Sequence, residues 1–462
     1  MFNRRETLLA GLFGAEYLGL RALATGLPVW FLANPRRATA QDLQCAIDAK
    51  DKMQYLVVST SSQGDPLNCN VPGTYEQAAI IHPMQPTVAA TPVSLGAQSF
   101  GAALPWASTA VGGALKPETL ARTNFFHYST RSTVHGDQPK VMKLLGLTNR
   151  SEMMVSAYAK HLGTCFGTVQ TEPVAVGARG NASELVSFAG RTLPSISPTQ
   201  LKQLLTGSGR DQASTGLVAL RALRDQSLNA LNQMAKDDGS NIQKQFLDKL
   251  ATSQTQVRGL AEQLGTTLDA ITADDVNGQA LAAAALFQAN VTPVVTVRIA
   301  FGGDNHTDAA LQAEADQHVS GVAGIQTMMN ALTAAGLADK VTFATMNVFG
   351  RNLSGIAKVT SRAGRDHYGN HSVMVLIGKN VKPGVYGGVV ASGTTGAFAA
   401  GDINPATGAQ VTGGDITAAK SHVSAVRTLG AALGLPDGAV QGDYVASAGG
   451  RVIAAAVTPP TA

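Results

Sequence analysis

Val291-Thr-Pro-Val-Val-Thr-Val-Arg-Ile-Ala300 runs directly into Phe301-Gly-Gly-Asp-Asn-His-Thr-Asp308, and the reading of this stretch decides the fold. The first part is short, apolar and β-branched, as a buried strand is; the second is polar and rich in turn residues. From Ala309 to Ala335 the pattern is helical, with Val319, Val322, Ile325, Met329 and Leu332 along one face. Val341-Thr-Phe-Ala-Thr-Met-Asn347 is strand-like again and leads into Val348-Phe-Gly-Arg351. Strand, long helical crossover and strand make the βαβ unit of a parallel sheet. In such sheets ligands gather at the carboxyl ends of the strands, so the polar stretch from Phe301 to Asp308 stands where a site would be.

Upstream, Asp275 to Ala289 reads as an Ala-rich helix, and Gln54-Tyr-Leu-Val-Val-Ser-Thr60 reads as a buried strand entering the loop Ser61-Ser-Gln-Gly-Asp-Pro66. The segment from Gly73 to Leu120, rich in Pro, Ala and Gly, reads as loops. Asn124 to His135 repeats the motif of an aromatic strand entering a polar turn. Downstream, Ser372-Val-Met-Val-Leu-Ile377 closes the strand series. Between about 151 and 273 the character is helical, with amphipathic spacing over Pro198–Lys236 and Asn241–Leu268, which predicts a helical insertion beside the sheet. The fold class is therefore α/β, a mostly parallel central sheet with flanking helices and a helical insertion.

The N-terminus reads as an address. Arg4-Arg5 precede an apolar run from Leu8 to Leu32, and the segment closes on Ala38-Thr-Ala40. A positive start, an apolar middle and a small-x-small close form a secretory signal, and the arginine pair points to the twin-arginine route. The expected organisation is a signal at 1–40 and one domain over 41–462. The partners implied are the export machinery and a small-molecule or ester substrate, and the location periplasmic or secreted. An uncleaved amphipathic or anchoring helix is the rival reading; no later run is long and apolar enough to span a membrane.

Bulk composition excludes some classes. Hydrophobic residues make up 45% of the 462 and charged residues 14%, which describes a globular chain. The net charge is +4, and residues 1–40 hold five arginines against two glutamates, so the remainder is close to neutral. There is no electrostatic case for nucleic acid. The three cysteines, Cys45, Cys69 and Cys165, fit no zinc ribbon, and which of them pair is open.

With only nine histidines, clusters carry information. Asp304 and His306 lie just past a strand, and Asp366-His367, with His371 four residues on, lie just before one. Carboxylate and imidazole together suit zinc, manganese or a similar divalent ion. His127 and His135 either complete a metal shell or pack.

Four stretches resemble the exported family called domain of unknown function 1501, a relative of sulfatases within the alkaline-phosphatase-like superfamily. They are Leu56-Val-Val through Gly64-Asp-Pro-Leu-Asn68; Val294 to His306; Asn347-Val-Phe-Gly-Arg351; and Gly364-Arg-Asp-His367 followed by Val373 to Gly388. The resemblance is good over Val276–Gly388 and looser over Lys52–Leu147. It implies an alkaline-phosphatase-like fold, with metal roles for Asp304, His306, Asp366 and His367, and for Asp65 as an early carboxylate ligand. One or two divalent ions (zinc, manganese or calcium) would act on a phosphate or related ester. It also implies a metal-activated Ser or Thr nucleophile, for which Ser132 is the candidate, with Arg131 to hold an oxyanion and Arg351 and Asn347 lining the pocket. This sequence departs from the family pattern at Val348, where a glutamate is usual, and before Asp304, where a tryptophan is usual. No Cys-x-Pro-x-Arg motif of sulfatases is present. The expected function is an exported metal-dependent hydrolase. Its rival is an inactive fold relative serving as a secreted binding or assembly protein.

Overall fold

The computed structural model describes residues 52–83, 92–100, 106–107, 114–148, 152–177, 187–188, 190–193, 195–206, 233, 264–353, 364–393, 397–437 and 450–458. The proposed signal at 1–40 and most of the amphipathic stretch at 207–263 lie outside them.

Eight strands form the central sheet: β1 (Tyr55–Ser61), β2 (Thr123–Tyr128), β3 (Val174–Val176), β4 (Ser195–Ile196), β5 (Val294–Val297), β6 (Val341–Asn347), β7 (Ser372–Ile377) and β8 (Gly384–Tyr386). Their spatial order is β8-β2-β7-β6-β1-β5-β3-β4. β5 and β6 flank β1 in parallel, with Leu56 opposite both Val294 and Thr342, and Ser61 opposite Asn347. The crossover between them contains the helix Gln312–Ala334. The βαβ unit legible in the sequence is thus the centre of the fold, and the sheet is mostly parallel.

Side chains alternate between two cores. Val57, Phe125, Phe343 and Val375 point into one, with the helices α3 (Val276–Gln288) and α4 (Gln312–Ala334). Leu56, Val58, Phe126, Ala344, Met346 and Met374 point into the other, with α1 (Met154–Phe166) and α5 (Ser421–Ala432). A helix α2 (Pro198–Thr206) lies between α1 and α3 in the chain. Covering both faces explains why these strands read as continuous apolar runs rather than as alternating ones.

Two sequence expectations change. The strand Ser372–Ile377 runs antiparallel to β6, with Phe343 opposite Ile377, and antiparallel to β2. The physical reason is where the chain re-enters: Gly350–Arg351 pairs antiparallel with His367–Tyr368 at the edge β6 has just left. The strand beginning at Ser372 therefore starts at that same edge, and His367 is carried there with it. The segment from 151 to 273 also contributes strands. β3 and β4 join the sheet in parallel beside β5, too short to show a period in sequence. Within Gly73–Leu120, Val93–Leu95 and Gln98–Phe100 form a hairpin, and Trp106 is buried edge-on against Phe125.

A buried ion pair ties α4 to the loops. Glu314 (0% exposed) accepts from Arg365 Nε at 2.7 Å and from Asn70 Nδ2 at 2.8 Å. Arg365 also donates to the carbonyls of Asn352 and Leu353. Removing one partner strands a buried charge, so Glu314→Ala is expected to cost about 3–5 kcal/mol in denaturant unfolding. A loss below about 1 kcal/mol would contradict this account of the pair. Cys69 is free and buried, while Cys165 is disulfide-bonded.

Candidate metal centre

β1, β2, β5 and β6 all finish at one edge of the sheet, where β7 begins. Four polar loops meet there. His135 follows β2, Asp304 and His306 follow β5, Arg351 follows β6, and Asp366-His367 precede β7.

Asp304 is the hub. Its Oδ1 lies 2.7 Å from His306 Nε2, 3.1 Å from His367 Nε2 and 2.9 Å from Arg351 Nη2, and its Oδ2 lies 3.6 Å from His135 Nε2. One ligand atom from each of His135, Asp304 and His367 lies within 4.8 Å of the others. His306 Nε2 joins them, 2.9 Å from His367 Nε2.

The far side of each ring determines what these nitrogens present. His135 Nδ1 lies 2.7 Å from the Ser62 carbonyl, and His367 Nδ1 lies 2.8 Å from the Thr133 carbonyl. Carbonyls only accept, so each Nδ1 carries the proton and each neutral Nε2 presents a lone pair. His306 differs: its Nε2, 2.7 Å from the acceptor-only Asp304 carboxylate, donates to it, and its Nδ1 lies 3.5 Å from Asp366 Oδ1. Two imidazole lone pairs, the His306 nitrogen and a carboxylate oxygen therefore converge. Such an arrangement repels itself unless a cation sits among them, whether an extra proton or a metal ion. A ligating imidazole held by a carbonyl or carboxylate on its other nitrogen is the usual outer shell of a metal site.

Partial burial opposes the charge on Asp304, but hydrogen bonds from His367, when its ring carries the extra proton, and from Arg351, with the Arg351 charge, outweigh it and bring its pKa down to about 2. The carboxylate is ionised wherever the protein is folded at ordinary pH. Phe349 stacks on His367 at 4.4 Å and lies 5.1 Å from His135, giving the centre an apolar wall.

Close packing fixes the loops. A Cβ on Gly364 would fall 2.0 Å from the Asn305 carbonyl oxygen, and Gly364 N donates to the His306 carbonyl at 2.7 Å. Gly364→Ala must push the His306 loop away, so we expect metal affinity to fall about 10–100-fold, the range for lost outer support. Competition with a chromophoric chelator measures it, and unchanged affinity would show that the approach is not needed.

The other candidate residues stand as follows. Asp366 Oδ1 lies 3.5 Å from His306 Nδ1, on the side of the ring away from Asp304. Asp65 is fully buried, with Oδ1 accepting from Ser61 Oγ at 3.0 Å and Oδ2 from Phe301 N at 3.3 Å. Burial raises its pKa against the charges of Arg298 and Arg351. Ser132 Oγ donates to Asp137 Oδ2 at 2.7 Å and accepts from Val134 N, the bonding of a turn serine. Arg131 is exposed, with φ of 55°, and its N donates to the Gly369 carbonyl. Asn347 ends β6, nearly buried. His127 belongs to a separate buried chain, with Nδ1 2.9 Å from His371 Nε2, whose Nδ1 in turn meets Asn68 Nδ2 at 3.1 Å. Of the two optional histidines, His135 thus joins the centre and His127 packs. Nothing local in the sequence distinguishes them, because the distinction lies in the direction of the turn after β2.

A family model described as "Protein of unknown function (DUF1501)" matches residues 134–404, more than half of the chain. The protein belongs to the DUF1501 family. No curated protein matches it. The DUF1501 span takes in His135, Asp304, His306, Arg351, Asp366 and His367, every residue of the centre just described. Asp65, Arg131 and Ser132 precede it.

Proposed function

We propose that this DUF1501 protein is a metal-dependent hydrolase, exported by the twin-arginine route and acting on phosphate or related esters, with an alkaline-phosphatase-like fold. The observation that carries the metal reading is the convergence of the Nε2 atoms of His135, His306 and His367 on Asp304, with the His135 and His367 rings held by backbone carbonyls on their other nitrogen. A donor set of three imidazoles and one carboxylate suits zinc, or manganese and neighbouring metals, better than calcium, which prefers oxygen. The export reading is supported by the Arg4-Arg5 signal pattern alone.

Bound there, a divalent ion supplies a Lewis acid and lowers the pKa of adjacent water to near 7. The chain's own residues do the rest. Asp304 and the imidazoles set the geometry, Asp366 orients His306, and Phe349 screens one side. Ser132 is engaged by Asp137, so water is the nucleophile this reading favours. One observation favours the rival reading, an inactive relative that binds or assembles: Val348, where the family usually has glutamate, is fully buried and brings no acid to the site.

Elemental analysis of the purified protein, wild type against Asp304→Ala/Asp366→Ala, followed by a panel of nitrophenyl phosphates and sulfates, separates the readings. Metal with turnover, both lost in the double variant, supports the hydrolase. Metal without turnover on any ester supports the binding protein. No metal in wild type, before or after addition, overturns both as metal proteins.

A further inference from the structure

We infer that the centre takes one divalent ion, and that the guanidinium of Arg351 occupies the place of a second cation. The inference rests on the metal reading proposed above and specifies what that site can hold.

Arg351 is 0% exposed, and its donors are taken by oxygens from three loops. Nε donates to the Gly64 carbonyl at 2.6 Å. Nη2 donates to the Gln63 carbonyl at 3.0 Å, the Gly303 carbonyl at 3.0 Å and Asp304 Oδ1 at 2.9 Å. Nη1 reaches the Arg365 carbonyl at 3.4 Å. Four carbonyls and a carboxylate around one group are the kind of oxygen donors that a hard cation takes. Here they surround a planar, permanently charged guanidinium.

A second ion would need ligands of its own within about 4 Å of the first. Apart from the Asp366 carboxylate, which faces His306, the nearby oxygens are already engaged. The carbonyls of Gln63, Gly64 and Gly303 face Arg351, that of Ser62 faces His135, and that of Thr133 faces His367. Both oxygens of Asp65 accept hydrogen bonds from within its own surroundings. With the buried Asp65 set against Arg298, a divalent ion and Arg351 carry three positive charges against the two of Asp304 and Asp366, leaving a surplus of one that draws an anion to the exposed side. Without Arg351 that surplus vanishes.

The test starts from metal-free wild type titrated with zinc by calorimetry, then with inorganic phosphate once loaded. Arg351→Lys and Arg351→Met are run alongside, with circular dichroism to confirm folding. We expect saturation at one zinc per chain. In folded Arg351→Met, phosphate affinity should fall by about 10-fold or more, with partial rescue in Arg351→Lys, because the field depends on the charge and not only on the packing. Two zinc ions in wild type, or phosphate affinity unchanged in folded Arg351→Met, overturns the inference while leaving the metal centre intact. No zinc at all removes the metal reading beneath it. If neither variant folds, the wild-type stoichiometry decides alone.

Discussion

Asp304→Ala is expected to abolish stable metal binding, with affinity for zinc lowered by more than the 10–100-fold typical of an outer-shell loss. The size of the effect follows from its position as the hub. Asp304 is the group every imidazole of the centre faces, and it also terminates the Arg351 guanidinium. Truncation leaves three mutually facing imidazoles beside an uncompensated buried cation, so an incoming divalent ion meets net repulsion. Asp304→Asn separates charge from shape. It keeps the hydrogen bond from Arg351 but removes the negative charge, and it should recover little of the affinity. Competition with a chelator reads both variants. If Asp304→Ala binds zinc as wild type does, Asp304 is not a ligand and the hub description is wrong.

The second large effect is acid lability. His127, His318, His371 and His422 are all buried. Burial lowers the pKa of His127 and His422 to about 4, that of His318 to about 3, and that of His371 well below its ordinary value. The folded state binds fewer protons than the unfolded chain between those values and the ordinary value near 6.5. Stability contributed by these groups is therefore fully present above about pH 6.5 and is lost as pH falls toward 4. Each histidine adds on the order of 1.4 kcal/mol per pH unit in that window, so the four together give a steep fall. Denaturant melts with chelator present from pH 7 to 4.5 measure it. His422 offers a control, since neither ring nitrogen has a hydrogen-bond partner and the ring stacks on Tyr128. His422→Phe should flatten the slope by about one proton, at little cost at pH 7. A wild-type slope near zero across the window would contradict the assignment.

The sequence made the central unit legible because its elements are local. The apolar run ending at Ala300, the turn at Gly302-Gly303 and the long helical period before Val341 each carry their own signal. It was also enough to pick out Asp304, His306, Asp366 and His367, since polar clusters beside strand ends are conspicuous in a chain with so few histidines. What it did not carry is direction. The antiparallel run of β7 depends on pairing between Gly350–Arg351 and His367–Tyr368, which no local pattern announces. The arrival of His135 depends on a turn that aims its ring at Ser62 and Asp304. Arg351 and Asp65 read alike as polar loop residues, yet one reaches into the centre and the other is enclosed by Ser61 and Phe301. Such distinctions arise from tertiary packing, where charge, burial and hydrogen-bond supply are settled together.

X-ray absorption at the zinc edge of the loaded protein tests the central claim most directly. The account predicts a first shell of three imidazole nitrogens and one carboxylate oxygen at about 2.0–2.2 Å, with the multiple scattering of histidine rings, and loss of one imidazole contribution in His135→Ala. A shell made only of oxygens, or one unchanged in His135→Ala, would contradict it.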